Sequence, residues 1–254
     1  DGNLDIDSTC RWVDWHLGKG IKLFWTTPGT THFMCLSEAE VMDLTKALAA
    51  VISGRGIFIA STDLWSTRQY MKFVDDAAGW GVDIVKLTWD WHWPGDEEII
   101  EFYRCIAESS PLPLFAYSAL RGISGDLLKR ILELPQFVGL KNDKDNFYGQ
   151  QIYLRVIRSY ADPSEFVTMT GGGMNAFLFG YEFGMRAYTD SAAFVAPDRA
   201  VAFSKFVEEG NRESAVQIIQ EWDELVFMDQ WKRTFRGVPT PGYQWMWAHT
   251  ALHL

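Results

Sequence analysis

The chain of 254 residues is 48% apolar, 22% charged and 15% aromatic, which excludes a disordered or fibrous protein and leaves material for a large core. Its 33 acidic residues against 23 basic ones give a net charge of -10 with no Lys/Arg cluster, so a nucleic-acid backbone or an anionic membrane would be repelled. No run approaches the ~18 apolar residues of a membrane span, and the opening Asp-Gly-Asn-Leu-Asp lacks the basic and apolar regions of a signal peptide, so the expected compartment is the cytoplasm.

In chain order, Asp7 to Leu17 reads as a helix, with Trp12, Trp15 and His16 about a turn apart. Apolar runs rich in β-formers then recur: Ile21 to Trp25, Ile57 to Ala60, Ile84 to Leu87, Leu112 to Tyr117, Phe137 to Leu140, Phe166 to Met169 and Ala187 to Thr189. Helical patterns fill the gaps. Ser37-Glu38-Ala39-Glu40 is a capping box, in which hydroxyl and carboxylate each satisfy a backbone N–H, and Asp96 opens another helix before Glu97 and Glu98. Most strand starts lie about 25 to 36 residues apart, the spacing of right-handed β-α units on a buried parallel sheet. The order predicts an α/β fold, a (β/α)8 TIM barrel in one domain over 1–254, with a C-terminal helical segment from about 198. An eighth strand is wanting, and its expected place is before Asp1. Helical patterns run from Asp198 to Trp231, Gly237-Val-Pro-Thr-Pro-Gly242 breaks them, and an apolar segment, Tyr243 to Leu254, ends the chain.

Cys10, Cys35 and Cys105 are widely spaced without a Cys-x-x-Cys pair, and read as buried reduced thiols. In a barrel of this kind, chemistry sits where strands end, so the informative residues follow each apolar run. Lys141 closes Val138-Gly139-Leu140, which places its stem in the core and its amine at the mouth. Desolvation there disfavours the ammonium and supplies the neutral amine that attacks a carbonyl to form a Schiff base. Lys22 and Lys86 also fall in strands. Imine formation needs a proton relay, which the phenol of Tyr117 provides if a hydroxyl from Thr30 or Thr31 links it to solvent. Gly171-Gly172-Gly173 lacks the companions of a phosphate loop and reads as a tight strand-to-helix turn.

In order and spacing these residues resemble the dihydrodipicolinate synthase and N-acetylneuraminate lyase family of pyruvate-dependent class I aldolases. Asp1-Gly-Asn-Leu-Asp5 is similar to the segment after the family's first strand. Gly29-Thr30-Thr31-His32 through Glu40 resembles its Gly-Thr-Thr-Gly-Glu stretch, Leu112 to Ser118 its strand ending in Tyr-Asn, Leu134 to Lys141 its Schiff-base strand, and Thr170-Gly171 its Ser/Thr-Gly turn. The resemblance implies Lys141 as the Schiff-base lysine, Tyr117 as the acid/base phenol, and Thr30 or Thr31 as the relay hydroxyl that also holds the keto-acid carboxylate. A gapless match sets Thr30 on the family's second threonine and His32 on its glutamate, whereas matching Gly29-Thr30-Thr31 to Gly-Thr-Thr deletes the following glycine. His32, Trp91, Arg121, Gly171 and Tyr188 are the expected substrate contacts.

The departures bear on the reaction. Trp89-Asp90-Trp91 stands where the family has Pro-Tyr-Tyr, so the relay tyrosine contributed between subunits is replaced, and the loop after Arg121 is short. A true dihydrodipicolinate synthase is therefore not expected. The expected function is a Schiff-base lyase, aldolase or dehydratase, acting on pyruvate or a related 2-keto acid and, in an aldol reaction, on an aldehyde. It needs no cofactor beyond the imine on Lys141 and no metal, and the resemblance implies a homo-oligomer, dimer or tetramer. Trp25, Trp89, Trp91 and Trp93 offer faces for a sugar or aromatic aldehyde, or else plug the barrel. Two rival readings are a non-catalytic ligand-binding barrel and a metal-assisted hydrolase or lyase using Asp63, Asp90 and His92, since a metal needs at least three convergent ligands.

Overall fold

The computed structural model describes residues 4–26, 36–62, 66–88, 95–118, 123–142, 147–162, 164–190 and 192–222. Seven strands form one parallel sheet in sequence order: β1 Leu23–Trp25, β2 Ile57–Ser61, β3 Ile84–Thr88, β4 Leu114–Ser118, β5 Phe137–Asn142, β6 Val167–Thr170 and β7 Ala187–Tyr188. The helices are α1 Ile6–Gly18, α2 Glu38–Ile52, α3 Thr67–Trp80, α4 Asp96–Ala107, α5 Gly125–Leu132, α6 Phe147–Tyr160, α7 Gly173–Tyr181, α8 Ala192–Val195 and α9 Pro197–Glu208, with further helix over 212–222. This is the TIM-barrel architecture with seven strands among the described residues. Each strand from β1 to β6 is followed by at least one helix before the next. None of the described helices is long and apolar enough to cross a membrane.

Side-chain alternation splits the apolar residues between two faces of the sheet. Phe58, Ala60, Val85, Leu87, Leu114, Ala116 and Leu140 face outward into one core with α2 to α6. Ile59, Phe115 and Met169 form a separate inner cluster, to which Leu23, Trp25, Ile84, Val138, Val167 and Ala187 add, so every strand feeds the enclosed side. A third cluster joins α7, α9 and 212–222 through Met174, Phe177, Phe203 and Ile218.

Helix starts follow local chemistry. Ser37 and Glu40 make the expected capping box, Ser66 and Gln69 make a second, and Asp5 caps α1 by accepting from Ser8 N at 2.9 Å. The acidic start of α4 meets the helix dipole, and Glu97 also takes a bidentate bond from Arg130 of α5 at 2.5 and 2.9 Å. Buried His16 links α1 to α8, with Nδ1 2.7 Å from Trp12 O and Nε2 3.0 Å from Ala193 O.

Several boundaries differ from the sequence reading. β2, β3, β5 and β6 run one or two polar residues past the last apolar one, because ladder hydrogen bonds continue where the side chains reach the mouth. β4 starts at Leu114 instead of Leu112: Pro113 has no N–H, and Leu112 O instead accepts from Ser110 Oγ at 2.6 Å. Cys10 and Cys105 are free but half-buried instead of buried, and what burial they have pushes both thiols up. Cys35 lies outside the described residues.

Candidate active site

β5 presents Lys141 to the enclosed side through a register shift. Leu114 pairs with Phe137, but Phe115 pairs with Gly139, leaving Val138 as an extra residue. Phe137 therefore points outward into the helix-side core, whereas Gly139 and Lys141 point inward. Gly139 is needed there: a Cβ would lie 2.2 Å from Phe115 Cε2 and 2.5 Å from Val167 O. Phe115 thus lies across Gly139 and floors the space beneath Lys141.

One layer of the inner face is set by register, Thr88, Tyr117, Lys141 and Met169 on four adjacent strands. Lys141 Nζ lies 4.7 Å from the centroid of the Tyr117 ring and 5.7 Å from that of Trp25. Lys86, one layer below, sends its amine up to the same rings, 4.7 Å from Tyr117 and 5.5 Å from Trp25. The two rings meet edge-on, with centroids 6.2 Å apart at 75°. Lys86 is fully buried, and Lys141 and Tyr117 are 7% and 9% exposed.

The strand ends are tied by buried polar groups. The Tyr70 hydroxyl donates to Thr62 O at 2.6 Å and lies 3.2 Å from Thr88 O, joining the ends of β2 and β3. Ser61 Oγ donates to Thr26 O, and Ser61 N donates to Thr26 Oγ1 at 3.2 Å. Tyr153 of α6 donates to Ile123 O at 2.6 Å and accepts from Ile123 N at 2.7 Å, and burial pushes its phenol up. After β6, Thr170 Oγ1 accepts from Gln150 Nε2 at 3.2 Å and Gly172 N at 3.0 Å. Gly171 N donates to Asn142 O at 3.4 Å. Gly173, at φ +67, makes the tight turn expected of the glycine run, and its missing Cβ leaves room for Asp190.

Of the residues expected in the site, the structure brings Lys141 and Tyr117 together and sets Gly171 at the neighbouring strand end. It does not bring Tyr188 to them. The Tyr188 ring packs against Phe177 and Phe203, and its hydroxyl contacts Ala200 O at 3.3 Å and Ser204 Oγ at 3.1 Å. Burial pushes that phenol well up. Its aromatic ring is absorbed by the α7–α9 core, the competing demand that sequence position does not reveal. Thr30, Thr31, His32, Trp91 and Arg121 lie outside the described residues, as do Asp63, Asp90 and His92. Lys86, which the sequence places within the apolar run Ile84 to Leu87, is a further amine against the same two rings.

Fold and site together define a parallel β/α-barrel protein with a lysine and a phenol paired on its inner face. The chain belongs to the Dihydrodipicolinate synthetase family, whose sequence profile matches residues 1–239. It is 26% identical over 183 residues to a 4-hydroxy-tetrahydrodipicolinate synthase of Stutzerimonas stutzeri, covering 68% of this chain and 63% of that one. It is also 26% identical over 229 residues to a probable 5-dehydro-4-deoxyglucarate dehydratase of Streptomyces avermitilis, covering 87% and 66%. The match spans 50% to 63% of the length of the first three synthases. Among solved structures, a prophage protein of the dihydrodipicolinic acid synthase family from E. coli K12, in complex with pyruvate, shares the fold with a TM-score of 0.81 at 16% identity, over 90% of this chain and 78% of that one. A dihydrodipicolinate synthase from Oceanobacillus iheyensis gives 0.78 at 23% identity, over 87% and 72%.

Proposed function

We propose that the protein is a Schiff-base lyase, aldolase or dehydratase, acting on pyruvate or a related 2-keto acid. The observation that carries this reading is the Lys141 amine on the inner face, 4.7 Å from the Tyr117 ring and still 7% exposed. The Nζ lone pair of Lys141 attacks the C2 carbonyl, and the carbinolamine hydroxyl leaves as water after taking a proton from the Tyr117 phenol. The resulting iminium accepts the electron pair released when a C–C bond breaks, or when a proton leaves C3, and this lets the reaction proceed without a metal. A neighbour of the same fold solved with pyruvate and a relative named as a dehydratase support the substrate class and leave both outcomes of the imine within it. Replacement of the family's Pro-Tyr-Tyr by Trp89-Asp90-Trp91 supports a reaction other than that of the synthases. Thr30 and Thr31 as relay hydroxyls, His32, Trp91 and Arg121 as contacts, and a homodimer or tetramer complete the proposal. The test is intact mass after incubation with pyruvate and sodium borohydride, with peptide mapping. One reduced pyruvyl group on Lys141 is expected, and an adduct confined to another lysine overturns the assignment.

A further inference from the structure

We infer that the Trp25 indole N–H is a catalytic donor, one that holds the C2 oxygen of the 2-keto acid while Lys141 adds to the carbon beside it. The inference rests on the imine reading of Lys141. Trp25 Nε1 is buried with no hydrogen-bond partner among the described residues. An indole nitrogen is a donor only, and a buried donor has lost its bond to water, so such an orphan in a native core calls for an acceptor from elsewhere. The groups packed on the ring do not accept from it. They are the Phe115 and Tyr117 rings, edge-on with centroids at 5.7 and 6.2 Å, and the Lys86 and Lys141 amines, 5.5 and 5.7 Å from its centroid. The second observation is where the indole stands. β1 and β5 are four strands apart in the sheet, so Trp25 meets the Lys141 amine across the enclosed space and not along the wall. A keto acid bonded to Nζ is thus flanked by phenol and indole. Of its oxygens, the carboxylate pair falls to Thr30 and Thr31 in the proposal above, which leaves the C2 oxygen for the indole. As the N–C bond forms, the carbonyl π pair moves onto that oxygen, and the Trp25 N–H donates to the growing negative charge while keeping its own proton. The oxygen then takes one proton from the Lys141 nitrogen and one from the Tyr117 phenol, and leaves as water. A donor already stripped of water needs no reorganisation to meet that charge, which is why its bond accelerates the addition.

Once the imine exists the C2 oxygen is gone, so Trp25 acts in imine formation and not in the chemistry at C3, and the test separates those stages. Two changes remove the N–H. Trp25→Phe also shrinks the ring, whereas replacing Trp25 alone by its benzothiophene analogue, with sulfur in place of N–H, keeps the shape of the indole and decides the matter if the phenylalanine variant fails to fold. Imine formation is read as the stopped-flow rate of borohydride trapping at saturating pyruvate. The later stage is read on preformed imine, moved into D2O before borohydride is added, as the deuterium at C3 of the Lys141 adduct weighed by peptide mass. In both variants the trapping rate is expected to fall at least about tenfold, while deuterium uptake at C3 is unchanged. A native trapping rate with the benzothiophene analogue overturns the inference. Equal slowing of both stages does so too, since it assigns Trp25 to packing, and it leaves the imine on Lys141 standing. No label on Lys141 of the native chain with any 2-keto acid overturns the lyase reading and this inference with it.

Discussion

Tyr117 and Lys141 are direct register partners on adjacent parallel strands, and the lysine nitrogen sits 4.7 Å from the centre of the phenol ring. Neighbouring parallel strands place same-face side chains about 4.8 Å apart, so the pairing holds amine and phenol together by backbone hydrogen bonds rather than by loop conformation. A site built on strands is kept in geometry by the whole sheet, which suits a reaction whose proton transfers depend on small distances.

Removing each partner should separate their roles. Lys141→Ala is expected to abolish the pyruvate adduct with borohydride while the far-ultraviolet circular dichroism stays native. Tyr117→Phe keeps the ring against both amines and removes the hydroxyl, so labelling should remain on Lys141 but form more slowly by about 10²- to 10⁴-fold. Stopped-flow trapping measures this, and an unchanged rate would take the phenol out of the proton transfers.

The strands were legible in the sequence because apolar runs flanked by turn residues leave few alternatives at this spacing, and Lys141 and Tyr117 were legible because each closes such a run. The extra residue at Val138 was not. Phe137-Val138-Gly139-Leu140 is apolar throughout, so alternation gives no warning that the register steps there, yet that step decides which face Lys141 takes. Tyr188 failed for a different reason: a β7 residue two positions before Asp190 can serve the mouth or the helix core, and Phe177 and Phe203 decide it. Lys86 needed coordinates to show that its amine rises one layer to the Tyr117 ring.

Gly139→Ala tests the floor of the site. The added methyl meets Phe115 and Val167 O well inside contact distance, and backbone on one side leaves only the ring free to move. Overpacking of this kind costs about 1 to 3 kcal/mol, read as a lower urea midpoint at constant slope. Because Phe115 lies beneath Lys141, the imine-forming rate should fall as well. A variant with native stability would show that Phe115 has space that the structure denies it.

Asp190 carries the junction after β7. One carboxylate oxygen accepts from Met174 N at 2.8 Å, satisfying an open donor at the start of α7, and the other accepts from Ala192 N at 2.7 Å at the start of α8. Asp190→Ala leaves both donors without this acceptor and should cost about 1 to 2 kcal/mol. Asp190→Asn keeps one acceptor oxygen and should fall between the two. If hydrogen exchange at Met174 and Ala192 is no faster in Asp190→Ala, the bridge is not what protects those amides.

The two capping boxes differ in the residue that reaches back to the cap, a carboxylate in one and an amide in the other, and this sets up a pH experiment. In the α2 box, bonds from the backbone and side chain of Ser37 hold the Glu40 carboxyl below its ordinary value of 4.5. The α3 box has the neutral Gln69 in the same role, accepting from Ser66 N at 3.0 Å. A carboxyl lowered in the folded state adds stability that is complete above its unfolded value and disappears as pH falls through the folded one. Glu40→Gln puts an amide in the same role, so its urea midpoint should lie below native near pH 7 and converge on native as pH falls from 4.5 through the lowered folded value. Gln69→Glu is no mirror of this change, because Gln69 Nε2 also donates to Glu38 Oε2 at 2.8 Å and a carboxylate at 69 would face that of Glu38. A native-minus-variant difference that stays constant from neutrality into acid would assign the effect of Glu40 to packing rather than to its charge.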